Sequence, residues 1–115
     1  MDTIVKPDNF EYGKFIQIYL DDRPHLILAN HNLAHQDILE QILRESEIRF
    51  ETVRLNGPNY GPDLFGGRYK LVGAGWVFVD ATLELSGQSD SYRIGPNEEH
   101  SREVQTLTQI PITIK

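Results

Sequence analysis

The sequence predicts an α+β fold: an antiparallel or mixed β-sheet flanked by two helices, in the order β-β-α-β-β-β-α-β. Three observations predict it. Most apolar residues fall in short runs of strand length. Helical spacing appears in only two places, at residues 33–46 and from residue 96 onward. The chain has 115 residues, enough for a single domain over residues 1–115 with one core.

Residues 1–12 carry mixed charge and a proline, and read as a loose arm or an edge segment. Residues 14–20 alternate loosely around Phe15, Ile16, Ile18 and Leu20, a strand signal. Asp21-Asp22-Arg23-Pro24 is a turn, and the apolar run 26–29 is its hairpin partner. Ile38, Leu39, Ile42 and Leu43 then form a 3.6-period stripe, so residues 33–46 read as a helix capped by Asn30 or Asn32. Residues 49–55 read as a third strand. Residues 56–67 hold two prolines and four glycines and read as a loop.

Residues 68–72 and 75–79 read as strand, broken at Gly73-Ala74-Gly75, and residues 82–85 as another strand. Residues 86–95 are a second polar loop. Pro96 with Glu98 and Glu99 opens the second helix, because proline suits a first turn and acids suit its positive end. His100, Val104 and Leu107 share its inner face. A last strand covers residues 110–114.

The bulk numbers exclude several function classes. Net charge is −6, which argues against a nucleic-acid or anionic membrane partner. Any phosphate must be held by a local cluster. With no cysteine, disulfides, thiolate zinc sites and cysteine nucleophiles are excluded together. No apolar run is long enough to span a membrane, and the N-terminus lacks a basic-then-apolar leader pattern, so a cytoplasmic location is expected. The histidines are His25, His31, His35 and His100, and no helical i,i+4 pair among them encloses a glutamate. No metal site and no cofactor are expected. Neither a phosphate loop nor a dinucleotide fingerprint is present. Trp76 and Phe78 alternate in a strand and read as core or sheet-face residues.

The most informative stretch is Asn32-Leu33-Ala34-His35-Gln36-Asp37-Ile38-Leu39. It puts His35 in the first turn of a helix, among unpaired backbone N–H groups suited to a phosphate. The positive end of the helix disfavours the imidazolium, so a neutral ring is available as base or nucleophile. By itself, such a histidine is more often a half-buried structural residue.

Five short motifs in one order give that histidine company. They are Lys14-Phe15-Ile16, His35-Gln36-Asp37-Ile38, Gly66-Gly67-Arg68, the Gly87-Gln88-Ser89-Asp90-Ser91-Tyr92 loop, and Pro96 with His100. In this pattern, across about residues 10–107, the chain resembles the Janus/Ocnus family, whose best-known activity is phosphohistidine phosphatase. The resemblance implies that His35 is catalytic. It implies a phosphate pocket drawn from Lys14, Gln36, Ser89 and Ser91, with Arg68, Tyr92 and His100 in supporting places. The residues themselves allow plainer readings: a surface Lys14, an ordinary polar loop, a fold-holding Arg68, and a buried, satisfied His100.

The pattern also departs from the family. Phe65 stands where a first glycine is usual, Ala34 where a tyrosine often precedes the histidine, and Arg93-Ile94-Gly95 where Gly-Pro is usual. The loop around residues 59–62 is longer. The resemblance implies a metal-independent phosphohydrolase acting on a phosphorylated protein or a small phosphoramidate, and a monomer or weak dimer is expected. The alternative is a non-catalytic Janus-like binding module for a phosphorylated or acidic partner.

Overall fold

The computed structural model describes residues 1–115. It is a mixed α+β structure with two helices, a six-stranded sheet and a separate two-stranded sheet. The strands are β1 (Ile4–Val5), β2 (Tyr12–Leu20), β3 (Arg23–Ala29), β4 (Thr52–Arg54), β5 (Tyr60–Pro62), β6 (Tyr69–Val79), β7 (Leu83–Ser86) and β8 (Ile112–Ile114). The helices are α1 (His35–Glu45) and α2 (Glu98–Thr108). The large sheet runs β1-β3-β2-β6-β7-β8, with both edge strands parallel to their neighbours and every inner pair antiparallel.

The period of two in β2 sorts its side chains onto two faces. Ile16, Ile18 and Leu20 meet Ile38, Leu39, Ile42 and Leu43 of α1 in one core. Phe15 meets Leu26, Leu28, Val77, Leu85 and Val104 of α2 in the other. Gln17 also faces α2, where its side-chain amide bonds Asn97 and Ser101. The sheet is thus flanked by two helices, as the sequence predicts, and the structure puts one on each face.

Several boundaries differ from the sequence reading. Of the two readings of residues 1–12, the edge segment holds, as β1 pairs with Leu26 and Ile27 at the sheet edge. Helix α1 starts at His35 rather than residue 33, and neither Asn30 nor Asn32 caps it; its cap residue is Ala34, with no side-chain cap. The Asn30 side chain instead accepts from the Asn32 N–H in the turn before the helix.

The strand expected over 49–55 shrinks to β4, and its partner β5 lies inside the expected 56–67 loop. Gly73 and Gly75 do not break β6. The irregularity is a bulge, in which Gln17 pairs with Gly73 and Ile18 with Leu71, leaving Val72 over. Gly73 is required there because a Cβ would lie 2.1 Å from Gln17 Oε1.

Candidate functional site

The start of α1 leaves backbone donors open. Asp37 and Ile38 N–H both turn back to the Ala34 carbonyl. The N–H groups of His35 and Gln36 have no partner within the protein, as expected for the first turn of a helix without a side-chain cap. The aligned peptide dipoles add partial positive charge at the same point. This is an electrostatic seat for an anion, built from backbone alone.

His35 is buried, at 6% exposure, and its ring is fixed. Nε2 lies 2.9 Å from the Gly75 carbonyl oxygen of β6. A carbonyl only accepts, so Nε2 carries the proton and Nδ1 carries the lone pair. Nδ1 makes no hydrogen bond in the protein and is not among the buried atoms left without a partner, so water reaches it. Gly75 is needed for close packing, since a Cβ there would lie 2.3 Å from the Ser86 carbonyl and 3.0 Å from the Phe15 ring.

Burial holds the His35 pKa below the ordinary imidazole value. The Gly75 hydrogen bond opposes this, the Lys14 ammonium adds to it, and the Asp90 carboxylate works against it. The neutral ring therefore dominates at neutral pH.

Lys14 lies on the same face of β2 as Ile16 and Ile18. Its Nζ donates to the Leu33 carbonyl at 2.8 Å, in the turn that leads into α1. It also sits 5.2 Å from the centre of the Trp76 ring, its cross-strand neighbour. These contacts hold a cation beside the His35 turn. An ammonium with three donors keeps capacity for a phosphoryl oxygen after bonding one carbonyl.

The Gly87–Tyr92 loop packs against the same helix start. Ser91 Oγ donates to Gln36 Oε1 at 2.7 Å, and the Gln36 amide reaches Asn59 Oδ1 at 3.4 Å. Asn56 fastens the loop from outside, through Asp90 O and Ser91 O. The Asp90 and Ser91 N–H groups have no partner within the protein. The loop can thus present two more backbone donors near the helix start.

Of the residues expected at the site, His35, Lys14, Gln36 and Ser91 are brought together. In Gln36 and Ser91 the side chains are tied to each other, so what they offer is backbone N–H. Ser89 is corrected to a loop-shaping role: it is fully buried, and its N–H, carbonyl and hydroxyl bond Ile94, Arg93 and Tyr92. Tyr92 is likewise a packing residue, buried in the α1-side core with its hydroxyl donating to Pro62 O at 2.7 Å.

Arg68 and His100 lie outside the site. Arg68 forms an exposed bidentate pair with Asp21, at 2.8 and 2.7 Å, beyond the opposite end of the sheet strands. His100 is on the α2 face, fully buried, with Nε2 donating to the Ile18 carbonyl. That face is sealed from α1 by the sheet. The plainer reading of each holds.

Sequence reasoning missed Gly75, Trp76 and Asp90. An isolated glycine in an apolar strand run can mark a close backbone approach, and Gly75 carried that signal. The pairing of Trp76 with Lys14 depends on strand register, which no local pattern supplied. No three histidine or acidic side chains are arranged to hold a metal ion. No helix is long and apolar enough to cross a membrane. Comparison with protein-family models yields no match, and comparison with curated proteins yields no significant relative.

Proposed function

We propose that the protein is a metal-independent phosphohydrolase that cleaves the P–N bond of phosphohistidine or a similar phosphoramidate. One observation carries the reading. His35 presents a water-accessible Nδ1 lone pair in a helix turn with open N–H donors and a lysine at hand. Neutralising donors and an activating group are what phosphoryl transfer requires. The resemblance to the Janus/Ocnus family in Lys14, His35 and the Gly87–Tyr92 loop supports the same reading and supplies the substrate class.

In the proposed reaction the phosphoryl oxygens rest on the His35 and Gln36 N–H groups and on Lys14. Nδ1 either removes a proton from the attacking water or attacks phosphorus itself. In the first case the water oxygen bonds phosphorus as the P–N bond breaks, and the leaving nitrogen keeps the electron pair and gains a proton. In the second, a phosphorylated His35 is formed and then hydrolysed. Both routes consume one water and yield phosphate and the free amine or imidazole. The sparse positive charge suits a phosphoramidate, whose protonated nitrogen is a good leaving group.

The test is phosphate release from a histidine-phosphorylated peptide by wild type and His35→Ala. The expected result is release by wild type and a fall of at least about 100-fold in the variant. Full activity in the variant, or none in wild type, would overturn the catalytic assignment. Phosphate binding without turnover would select the non-catalytic binding module instead.

A further inference from the structure

The face of the sheet covered by α1 continues past the helix start as an open aromatic ladder. Lys14 pairs across the strands with Trp76, and Tyr12 with Phe78. The Tyr12 ring stacks on Trp76 with centroids 5.6 Å apart and planes 17° from parallel. Phe78 follows at 5.9 Å from Tyr12, and His31 borders Tyr12 at 6.2 Å. Tyr12 is 49% exposed and Phe78 55%. Large rings in register, adjoining a candidate catalytic histidine and left in water, need a reason beyond folding.

We propose that this ladder is a substrate subsite that binds a phosphorylated polypeptide in extended form and favours an aromatic residue a few positions from the phosphorylated one. The inference rests on the phosphohydrolase reading of His35. Three observations choose the occupant. The ladder is continuous with the anion seat through Lys14, which touches both Leu33 and Trp76. Its two cross-strand pairs, Lys14–Trp76 and Tyr12–Phe78, lie two residues apart along the strands, about 7 Å, a step that two to three residues of extended chain match. Its one charge without an opposite partner is at the site end, in Lys14, while at the far end Glu84, in register with Phe78, is already paired with Lys115. A polyanion such as single-stranded nucleic acid would find a single unpaired cation on the ladder and a chain of net charge −6. A peptide with one phosphoryl group at the His35 end meets neither obstacle.

The experiment compares three substrates: phosphoramidate, a histidine-phosphorylated dodecapeptide with Phe three residues from the phosphohistidine, and the same peptide with Ser in place of Phe. Wild type should show about a tenfold higher kcat/KM for the Phe peptide than for the Ser peptide. In Phe78→Ala and Tyr12→Ala that ratio should fall towards one through KM, with phosphoramidate turnover unchanged. A wild-type ratio near one, or a ratio that survives both substitutions, would overturn the subsite.

If no substrate is turned over, the phosphohydrolase reading fails and the subsite is tested separately by binding. Trp76 is the only tryptophan, so its fluorescence reports the ladder. Unhydrolysable phosphohistidine-analogue peptides should change it with tighter binding for Phe than for Ser. Equal affinities would overturn the proposal. So would stronger binding of a mononucleotide, or a concentration-dependent dimer that buries Trp76.

Discussion

Tyr92 and Tyr69 each donate a hydrogen bond of 2.7 Å to a backbone carbonyl, but only one of those carbonyls is sealed from water. Tyr92 reaches Pro62, which is buried, whereas Tyr69 reaches Asp63, which is exposed. Burial raises both phenolic pKa values, to about 12 for Tyr69 and further for Tyr92, so both hydroxyls remain donors. Replacing either residue with Phe keeps the ring in the α1-side core. The cost is then set by the carbonyl left behind.

At Pro62 water cannot replace the lost donor, and an unsatisfied buried acceptor costs about 1–3 kcal/mol. At Asp63 water substitutes, and the loss is the net value of one hydrogen bond, about 1 kcal/mol or less. Tyr92→Phe should therefore lower Tm by roughly 4–12 °C, at about 4 °C per kcal/mol, and Tyr69→Phe by about 4 °C at most. Urea unfolding followed by Trp76 fluorescence measures both, with unchanged m-values expected. Tyr92→Phe within 0.3 kcal/mol of wild type (an error-sized change), or Tyr69→Phe costing more than Tyr92→Phe, would refute the reasoning. The result bears on function because Tyr92 ties the loop that carries Asp90 and Ser91 to β5.

Two further predictions concern charge. The His35 ring should titrate below the usual imidazole value of 6.5, so the acid limb of activity lies below that pH and activity is retained above it. Lys14→Met removes a cation that favours the neutral ring and should move the titration upward; Asp90→Asn removes an anion and should move it downward. Histidine-ring NMR reads both, and movement in a common direction would contradict the electrostatic account. Arg68→Ala breaks an exposed ion pair and should leave the urea midpoint close to that of wild type, with phosphate affinity unchanged. A loss of phosphate binding would return Arg68 to the site.

The parts of the fold that were legible in the sequence are those set by local periodicity. Ile38, Leu39, Ile42 and Leu43 place α1, and the alternation in residues 14–20 places β2 and both of its faces. Pro96 with Glu98 and Glu99 places the start of α2 to within two residues: the helix begins at Glu98, Asn97 caps the His100 N–H, and Pro96 lies before the cap rather than in the first turn. Strands β4 and β5 were hidden because three-residue strands carry too little pattern, and Tyr60-Gly61-Pro62 reads locally as a turn. The lower limit of α1 was misplaced because Ala34 caps without a side chain.

The candidate site divides the same way. His35 was legible because a helix start is a local feature. Its tautomer was not, since it depends on Gly75, 40 residues away. Arg68 is separated from Asp21 by 47 residues and His100 from Ile18 by 82, so their partners come from topology rather than spacing. The Tyr12–Trp76 stack required the β2–β6 register.

The central claim is that a phosphoryl group sits on the open turn at the start of α1. Backbone amide NMR of the 15N-labelled protein during titration with inorganic phosphate tests it most directly. The account predicts that the largest shifts fall on His35 and Gln36, with Asp90 and Ser91 following, and that Lys14→Met weakens them together. Saturable shifts centred instead on Arg68 and Lys70, or no saturable shift at His35 and Gln36, would contradict it.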